Sequence, residues 1–337
     1  MSGFVTVSIG SGLVDSIFGK CQVPLKSYLE KRSEAFERES LQKYLFRMES
    51  SRHWAERYSA ETAMDSFVPV GEGGDYPKTG FQEAYKRDIE NMTFKQSFAV
   101  TRELMEDAMI GTMKQRANQL VTAYGRTREL FGRTLYAGGL YGTTVSFGGK
   151  SFRCDAADGL ALCHKEHVNK VNGKKQSNLY KGAFSATLLG KIETEMQNRT
   201  GDNGELLSVS PDTIWIPNDA AMKEKVFSAI GADKDPTTSN NAYNYQFGRW
   251  NVIVDPYLSK ALSDMGKTDV PYFLLDSKFI QINDGAVFQD RVKLEVRSTL
   301  DENNDNNVWK GFSRFGAGFV DWRFVSAGNI STGTDLA

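Results

Sequence analysis

The sequence predicts an α+β fold, and three observations carry this prediction. Short apolar strands alternate with a helix in the second half of the chain, at Thr213–Pro217, Asp219–Ile230 and Trp250–Val254. A long helical periodicity follows Thr101. Upstream of it, Ser66–Val100 has the alternation of two strands around a glycine-rich turn. No repeat of fixed period is visible, so the elements indicate a compact mixed fold and not a repeat array.

The overall composition limits the class of function. The 337 residues are 40% hydrophobic and 25% charged, which is ordinary for a globular protein and excludes disorder as the dominant state. The 41 basic and 42 acidic residues leave a formal charge of -1. Because a dedicated nucleic-acid-binding protein carries excess positive charge, we expect any contact with DNA to be weak and local.

Membrane, export and disulfide signals are sparse. No apolar stretch approaches the roughly 20 residues that a helix needs to cross a bilayer. Met1–Gly12 lacks the cationic and apolar segments of a signal peptide. Cys21, Cys154 and Cys163 form an odd, scattered set, which argues against a disulfide framework and favours a reducing cytoplasm. The sequence therefore predicts a soluble protein with no membrane contact.

The first 48 residues predict a loose arm and then a charged helix. Met1–Gly19 is small, spotted with Gly and Ser and only mildly apolar, so we expect an extended arm that needs a partner to become ordered. Pro24–Met48 is dense in charge and Pro24 suits a helix start. Its thin apolar stripe at helical spacing consists of Leu25, Tyr28, Leu29 and Phe36.

The next segment predicts a long hairpin. Ser66–Val70 indicates a short strand, and Gly71–Asp75 a turn-rich tip. In the returning strand four apolar residues at alternate positions share one face: Met92, Phe94, Phe98 and Val100. Since an isolated two-stranded ribbon is only marginally stable in water, we expect this hairpin to lie on another surface.

Thr101 is the predicted N-cap of a long helix, with acidic residues in the first turns where they suit the helix dipole. The apolar face continues to about Tyr136, which at 1.5 Å per residue gives a length of roughly 50 Å. Gly111 and Gly125 lie inside this helix and can bend it without ending it. Ala137–Gly149 predicts a glycine-rich connection.

Beyond Asn178 the sequence predicts a second periodic helix that ends near Gly201, and the polar segment Asp301–Asn307 predicts a loop. The apolar face of that helix consists of Phe184, Leu188, Leu189, Ile192 and Met196. Further strand candidates are Val270–Leu275, Phe279–Ile282, Val292–Val296 and Phe319–Phe324.

Gly148-Gly149-Lys150-Ser151 resembles the end of a phosphate-binding loop. That loop needs a glycine five residues before the Gly-Lys-Ser group, and Thr144 occupies the position, so the backbone cradle is incomplete. Gly71, Gly73 and Gly74 lack the following helix that a dinucleotide site requires. We therefore expect plain loops and no bound nucleotide.

Cys154, Cys163, His164 and His167 form the only cluster that suggests a zinc site. Their spacing is unlike that of the usual close cysteine pairs, and Cys163 and His164 are sequence neighbours that point in different directions. We expect satisfied loop side chains and no metal. The carboxylates of Glu193 and Glu195 are most simply a solvated helix face, and no Ser/His/acid set has a recognisable context.

Several short motifs follow one order along the chain: Phe98–Asp107, Asp158–Leu162 with His167, Pro211–Pro217, Gly248–Leu258, Tyr272–Asp276 and Phe319–Arg323. In this order they resemble the major capsid protein family of tailed bacteriophages, whose Hong Kong 97-type fold encapsulins share. Phe98–Asp107 looks like the junction where the family's extended loop returns into its long spine helix. The match spans about Ser66–Asn329, and its weight lies in the order, because each motif alone is weak.

The resemblance implies a Hong Kong 97-like fold with an N-terminal arm, an extended β-hairpin loop, a long spine helix, a peripheral domain and an axial domain. The expected boundaries are 1–65 for the arm and charged helix, 66–100 for the extended loop, 101–180 for the peripheral domain with the spine helix, 181–290 for the axial domain and 291–337 for the return to the peripheral domain. The expected contacts of the extended loop with a neighbouring subunit are Phe67, Val68, Tyr76, Phe81, Tyr85, Met92 and Phe94.

The function that the resemblance implies is that of a head protein that assembles into hexamers and pentamers of an icosahedral shell around double-stranded DNA. No catalytic residue, cofactor or metal is expected. The implied partners are other copies of the chain, a separate scaffolding protein, a portal, a decoration protein and DNA held by non-specific contact, with assembly in the host cytoplasm. An encapsulin-type compartment and a soluble nucleotide- or metal-using enzyme are the alternatives. Covalent crosslinking cannot be transferred, because neither reactive partner has a match in this sequence. Lys78 and Lys86 are ordinary exposed lysines by default.

Overall fold

The computed structural model describes residues 6–7, 14–15, 29, 31–61, 67–78, 83–103, 110–169, 171, 173–202, 204–231, 244–301 and 306–336. Within the predicted arm, strands β1 (Thr6–Val7) and β2 (Val14–Asp15) pair antiparallel. The rest of that prediction lies outside the described residues.

The charged segment that follows is helical only in part. Helix α1 covers residues 31–39, α2 is Gln42–Leu45, and strand β3 (Arg47–Ser50) comes next. A single helix to Met48 is therefore wrong. The Ser40 hydroxyl accepts from the Gln42 amide at 3.1 Å where the second helix begins. Pairing of β3 with a neighbouring strand then fixes residues 47–50 in extended conformation.

A four-stranded sheet, here called the peripheral sheet, has the order β3, β14 (Ala286–Asp301), β15 (Asn306–Phe319) and β6 (Met92–Val100). β3 runs parallel to β14, and the other neighbours are antiparallel. The strand prediction at Val292–Val296 is confirmed inside β14. Of the predicted loop Asp301–Asn307, Asp301 belongs to β14 and Asn306–Asn307 belong to β15. Residues 302–305 lie outside the described residues.

The long helix α3 (Ile110–Gly138) packs across one face of the peripheral sheet. Leu120 and Val121 cluster there with Trp309 of β15, and the Phe131 ring meets the Phe315 ring edge-on at 5.7 Å. Residues 102–103 are helical, which agrees with the predicted helix start after Thr101, and residues 104–109 lie outside the described residues. The helix ends two residues beyond the predicted Tyr136.

A second four-stranded sheet, here called the axial sheet, has the order β12 (Asn251–Asp255), β11 (Thr213–Pro217), β13 (Tyr272–Leu275) and β16 (Val325–Gly328). β11 and β12 are parallel, whereas β13 is antiparallel to both of its neighbours. All five residues of β11 are buried, as expected for a central strand. The strand predictions at 213–217, 250–254 and 270–275 are confirmed.

Three helices surround the axial sheet, and each is capped by a side chain that the sequence shows. Ser185 caps α4 (Ala186–Gln197) and Asp219 caps α5 (Ala220–Ile230), which confirms both predicted helices. Asp255 caps α6 (Pro256–Asp264), which the sequence interpretation did not include.

Two of the predicted strands are wrong. Phe279–Ile282 belongs to the short helix α7 (Ser277–Ile282), because the Asp276 carboxylate accepts from the amides of Lys278 and Phe279 and caps a helix. At Phe319–Phe324, β15 ends at Phe319 and a turn follows. The amides of Val320 and Asp321 both donate to the carbonyl of Gly285, which bends the chain away from the strand direction.

A hairpin of β7 (Thr144–Phe147) and β8 (Lys150–Arg153) begins inside the predicted glycine-rich connection and ends beyond it. Gly148 and Gly149 form its two-residue turn with φ of 57° and 78°. Two consecutive positive φ values are the requirement of the tight hairpin turn that glycine favours. A smaller pair, β9 (His167–Val168) and β10 (Lys175–Gln176), follows.

The predicted hairpin exists, but its outgoing strand lies earlier than expected. β4 (Ala55–Glu61) pairs antiparallel with β5 (Glu83–Glu90), whereas residues 67–70 are not in a strand. The prediction of a strand at Ser66–Val70 is therefore wrong. Met92–Val100 is a strand as predicted, but it pairs with β15 and not with the hairpin. We call β4, β5 and residues 67–78 together the ribbon.

Candidate functional site

The outer part of the ribbon, residues 67–78, is the most exposed apolar segment of the described chain; we call it the ribbon tip. Phe67 and Tyr76 have 101% and 94% of their full exposure, and Val68 and Val70 are also exposed. Monomeric proteins seldom leave several large apolar side chains exposed together without a function. The ribbon tip therefore has the character of a contact surface.

The structure divides the seven predicted contact residues into different groups. Phe67, Val68 and Tyr76 lie together on the ribbon tip. Phe81 and the side chain of Tyr85 lie outside the described residues. Phe94 belongs to β6 of the peripheral sheet and not to the ribbon, and its ring stacks on Phe315 of the same chain with centroids 4.1 Å apart. Phe94 thus has an intramolecular role, and Met92 beside it is half-buried.

The base of the ribbon is held by a buried ion pair. Arg87 Nη1 of β5 lies 2.7 Å from the Asp155 carboxylate, and the two side chains are only 3% and 4% exposed. Burial lowers the pKa of Arg87, and the charge of Asp155 opposes that shift. Arg153 contacts the same carboxylate from the solvent side. Two cations on one buried acid fix β5 to the end of the β7–β8 hairpin.

A hydrogen-bond network and a close backbone approach hold the same base on the peripheral sheet. Gln289 Nε2 donates to the Ile89 carbonyl at 2.7 Å and to Asn91 Oδ1 at 3.1 Å. Asn91 Nδ2 in turn donates to Ser51 Oγ at 2.7 Å. Gly316 of β15 lies so close to Glu90 that a Cβ there would be 2.3 Å from the Glu90 carbonyl oxygen. The ribbon thus projects from a fixed base and carries an exposed tip.

Two buried arginines join the long helix to both sheets. Arg128 forms a bidentate ion pair with Asp290 of β14, and its guanidinium lies 4.7 Å from the centroid of the Phe288 ring. One helical turn and a residue further on, Arg133 pairs with Asp255 of the axial sheet. The helix therefore serves as the rigid element between the peripheral and axial sheets.

The family comparison decides the identity. The family model described as phage capsid protein matches residues 86–327, which is more than two thirds of the chain. The chain belongs to the phage capsid protein family. It is a major capsid protein, a structural subunit of an icosahedral shell and not an enzyme.

Solved structures agree with the fold of a capsid protein. The capsid structure of cyanophage P-SCSP1u matches with a TM-score of 0.50 and 8% identity, covering 86% of this chain and 87% of that one. A structure from Mycobacterium phage Patience matches with a TM-score of 0.50 and 10% identity, covering 98% of this chain and 92% of that one. The curated proteins contain no match to the sequence. At such low identity, the structural matches show the fold alone.

In this capsid protein the Cys/His cluster is divided among separate partners. His167 stacks on Trp322 with centroids 4.1 Å apart, and its Nδ1 lies 2.6 Å from Asp158 Oδ2. Cys154 and Cys163 are buried, and burial raises the pKa of the Cys154 thiol to about 12. Among the described residues, no group of three or more His, Cys, Asp or Glu is placed to hold a metal ion. These side chains stabilise the loops between α3 and α4.

Glu193 corrects the prediction of a solvated helix face. Its carboxylate is buried and accepts from Gln246 Nε2 at 3.1 Å, and it also pairs with Arg249. The neighbouring Glu195 is exposed, as predicted. Glu193 therefore ties α4 to the loop that precedes β12. No helix in the described part of the capsid protein is both long and apolar enough to span a bilayer.

The pairs Arg87–Asp155, Arg128–Asp290 and Arg133–Asp255 were missed by the sequence interpretation. Their members lie 68, 162 and 122 positions apart. The only signal available from sequence would be arginine inside a predicted core-facing stripe, as at Arg133 between Phe131 and Tyr136.

Proposed function

We propose that this capsid protein forms hexamers and pentamers of the shell, and that the ribbon of each subunit lies on a neighbouring subunit. The observation that carries the proposal is the full exposure of Phe67 and Tyr76 at the end of a ribbon whose base is fixed. Burying such rings at an interface removes apolar area from water and stabilises association.

The geometry of the ribbon favours closed rings of subunits. A ribbon that leaves one subunit and lies on a different surface of the next makes a head-to-tail contact. Repetition of a head-to-tail contact closes a ring when the rotation between subunits fits. Rings of five and of six copies can then form through the same contact, with a different rotation between neighbouring subunits in each ring.

The two sheets support the proposed division into a peripheral and an axial domain. The long helix α3 and the sheet β3–β14–β15–β6 make up the peripheral part, whereas β12–β11–β13–β16 make up the axial part. The segment 291–337 contributes to both parts, because β15 belongs to the peripheral sheet and β16 pairs with β13 of the axial sheet. Arg133 and Asp255 join the two parts.

The enclosed cargo in this proposal is double-stranded DNA, held by non-specific contact. The balance of 41 basic and 42 acidic residues supports a shell that depends on protein contacts more than on neutralised phosphates. We further propose that a separate scaffolding protein, a portal and a decoration protein act with this chain, and that assembly takes place in the host cytoplasm. The resemblance to the capsid family supports these partners.

Expression without the phage genome tests the proposal. The full chain, with its scaffold if one is required, is expressed in cells that lack the phage, and sedimented material is examined by negative-stain electron microscopy. Closed shells are expected from the full chain, and deletion of residues 67–78 is expected to abolish them. Gly71→Ala is the matched control, since no atom lies within 4 Å of the added Cβ. A strict need for DNA, or normal shells without residues 67–78, would contradict the proposal. Shells filled with a protein cargo would indicate the encapsulin-type alternative.

A further inference from the structure

The segment around β9 and β10 is basic, although the whole chain is not. Residues 164–181 contain five lysines and one glutamate, whereas the 337 residues together have a formal charge of -1. This segment contains no arginine, and its only aromatic ring besides the histidines belongs to the buried Tyr180. The positive charge is therefore concentrated locally, and lysine side chains carry it.

The inner side of the β9–β10 hairpin is fixed to the body of the protein. His167 of β9 is buried, and its cross-strand partner Gln176 on β10 donates to the carbonyl of Thr200 at 3.2 Å. The buried Asn169, which follows β9, donates to the carbonyl of Gly201 at 2.6 Å. Three side chains thus hold the hairpin from behind, so its outer side has a fixed position.

The outer side of the same hairpin is exposed, because side chains alternate across a strand. Val168 and Lys175 lie opposite each other on the two strands, and both are exposed. Lys165 and Lys174 are exposed as well. Glu166, the one acidic residue of the segment, lies 3.0 Å from Lys175. Three exposed lysines and one carboxylate therefore share this surface, and we call the three lysines the basic hairpin face.

The side chains of the basic hairpin face favour phosphate over a protein partner. Protein interfaces are depleted in lysine and enriched in aromatic residues and arginine. The ribbon tip has that aromatic character, since Phe67 and Tyr76 are exposed there beside the acidic Glu72 and Asp75. The basic hairpin face has neither an aromatic ring nor an arginine. Lysine ammonium groups are instead typical sequence-independent contacts of a nucleic-acid backbone.

We propose that the basic hairpin face is the surface through which each subunit contacts the phosphate backbone of the enclosed double-stranded DNA. The inference rests on the proposed function, since it locates the non-specific DNA contact of the shell on this hairpin. Lys165, Lys174 and Lys175 neutralise phosphates and release their counterions. With three lysines the contact of one subunit is weak, and many copies along one duplex make it effective. The hairpin consequently faces the enclosed volume of the shell.

Salt-dependent DNA binding tests the contact. The unchanged full chain and two triple variants are purified as unassembled subunits, and circular dichroism checks their folding. The test variant removes the basic hairpin face by Lys165→Gln, Lys174→Gln and Lys175→Gln. The control variant removes the same charge from exposed lysines on β8, α5 and α7, by Lys150→Gln, Lys225→Gln and Lys278→Gln. Binding to a short fluorescent duplex of arbitrary sequence is measured by anisotropy at several salt concentrations.

We expect the test variant to lose about tenfold or more in affinity at low salt, and its slope of log affinity against log salt to become shallower by about 2 to 3, because each phosphate contact contributes roughly 0.9. The control variant is expected to keep the affinity and the slope. An unchanged slope in the test variant, or an equal loss in both variants, would overturn the proposal. Competition by polyglutamate as strong as that by unlabelled duplex would also overturn it, because the surface would then bind any acidic polymer.

Shell formation separates this inference from the proposed function. In cells without phage DNA, the test variant is expected to form closed shells like those of the unchanged chain. Shells from the test variant together with unchanged DNA binding would refute the DNA contact alone. Loss of shells in the test variant alone would assign the hairpin to a contact between subunits and overturn the inference. Absence of shells from the unchanged chain would refute the proposed function, whatever the slopes.

Discussion

Arg133 Nε donates a 2.7 Å hydrogen bond to Asp255 Oδ2, and both side chains are fully buried. The same oxygen accepts from Trp215 Nε1 at 3.2 Å, while Asp255 Oδ1 accepts from the Tyr257 amide at 2.9 Å and caps α6. One carboxylate therefore joins the long helix, a central strand of the axial sheet and the start of a helix. Glu129 contacts Arg133 from the preceding turn.

Asp255→Asn is expected to destabilise the subunit by about 3 kcal/mol. The amide keeps the shape but removes one of the two carboxylates that compensate Arg133 and leaves Glu129, and weakening the compensation of a buried charge is costly. Urea unfolding of the unassembled subunit measures the change. Asp264→Asn is the control, because the exposed Lys260–Asp264 pair contributes about 0 to 1 kcal/mol at most. Equal losses in the two variants would show that the buried pair has no special role.

Gly316→Ala is expected to destabilise the base of the ribbon by about 1 to 3 kcal/mol. The added Cβ would lie 2.3 Å from the Glu90 carbonyl oxygen, and backbone cannot move aside as a flexible side chain can. Hydrogen exchange should increase first in β5 and at Asn91. Gly71→Ala, in open space on the ribbon tip, is expected to leave exchange unchanged. Unaltered protection of β5 in Gly316→Ala would contradict a fixed base.

Acid is expected to weaken the subunit through His167. Burial lowers the pKa of His167 below its ordinary 6.5, and the hydrogen bond with Asp158 opposes that shift without reversing it. The unfolded chain therefore binds a proton near pH 6.5 that the folded chain takes up only at lower pH. The contribution of His167 to the free energy of unfolding is fully present above pH 6.5. It is lost as the pH falls below 6.5, by at most about 1.4 kcal/mol per pH unit.

Unfolding free energies measured between pH 7.5 and 5.5 test this dependence. His167→Gln is expected to have a flatter profile than the unchanged protein. His53→Gln, which removes an exposed histidine, is the comparison variant. An identical slope in His167→Gln would assign the acid sensitivity to other groups.

Cys154 and Cys163 are expected to resist alkylation in the folded subunit. Burial raises the pKa of Cys154 to about 12 and raises the pKa of Cys163 further, so thiolate is scarce at pH 8. Site-resolved mass spectrometry after treatment with iodoacetamide should show modification of both residues only after unfolding. Rapid labelling of either one in the folded subunit would indicate a reactive thiol and reopen the question of a chemical role.

Local sequence signals predicted the elements that have local causes. Thr213–Pro217 is a continuous apolar run, and Asp219 and Ser185 are capping residues whose amide partners lie three positions on. The position of such elements follows from the neighbouring residues alone. Asp276 is a capping residue as well, but the apolar run Phe279–Ile282 is too short to distinguish a strand from a helix by periodicity.

Features with distant causes were not available from the sequence. β4 has no regular apolar alternation in its sequence, so its pairing with β5 is what defines it as a strand. The partner of Arg87 lies 68 positions away, at Asp155. Lys95 and Lys310 lie beside Phe312 because of the register of β6, β15 and β14, which pairs distant segments of the chain. Such long-range pairings belong to this second group, whereas most helices belong to the first.

A cryo-electron microscopy map of shells purified from cells without phage DNA tests the central claim most directly. The account predicts a closed icosahedral particle in which residues 67–78 of each subunit lie on an adjacent copy. A map in which the ribbon folds back on its own chain would contradict the account, and so would an assembly in which the ribbon tip stays exposed to solvent.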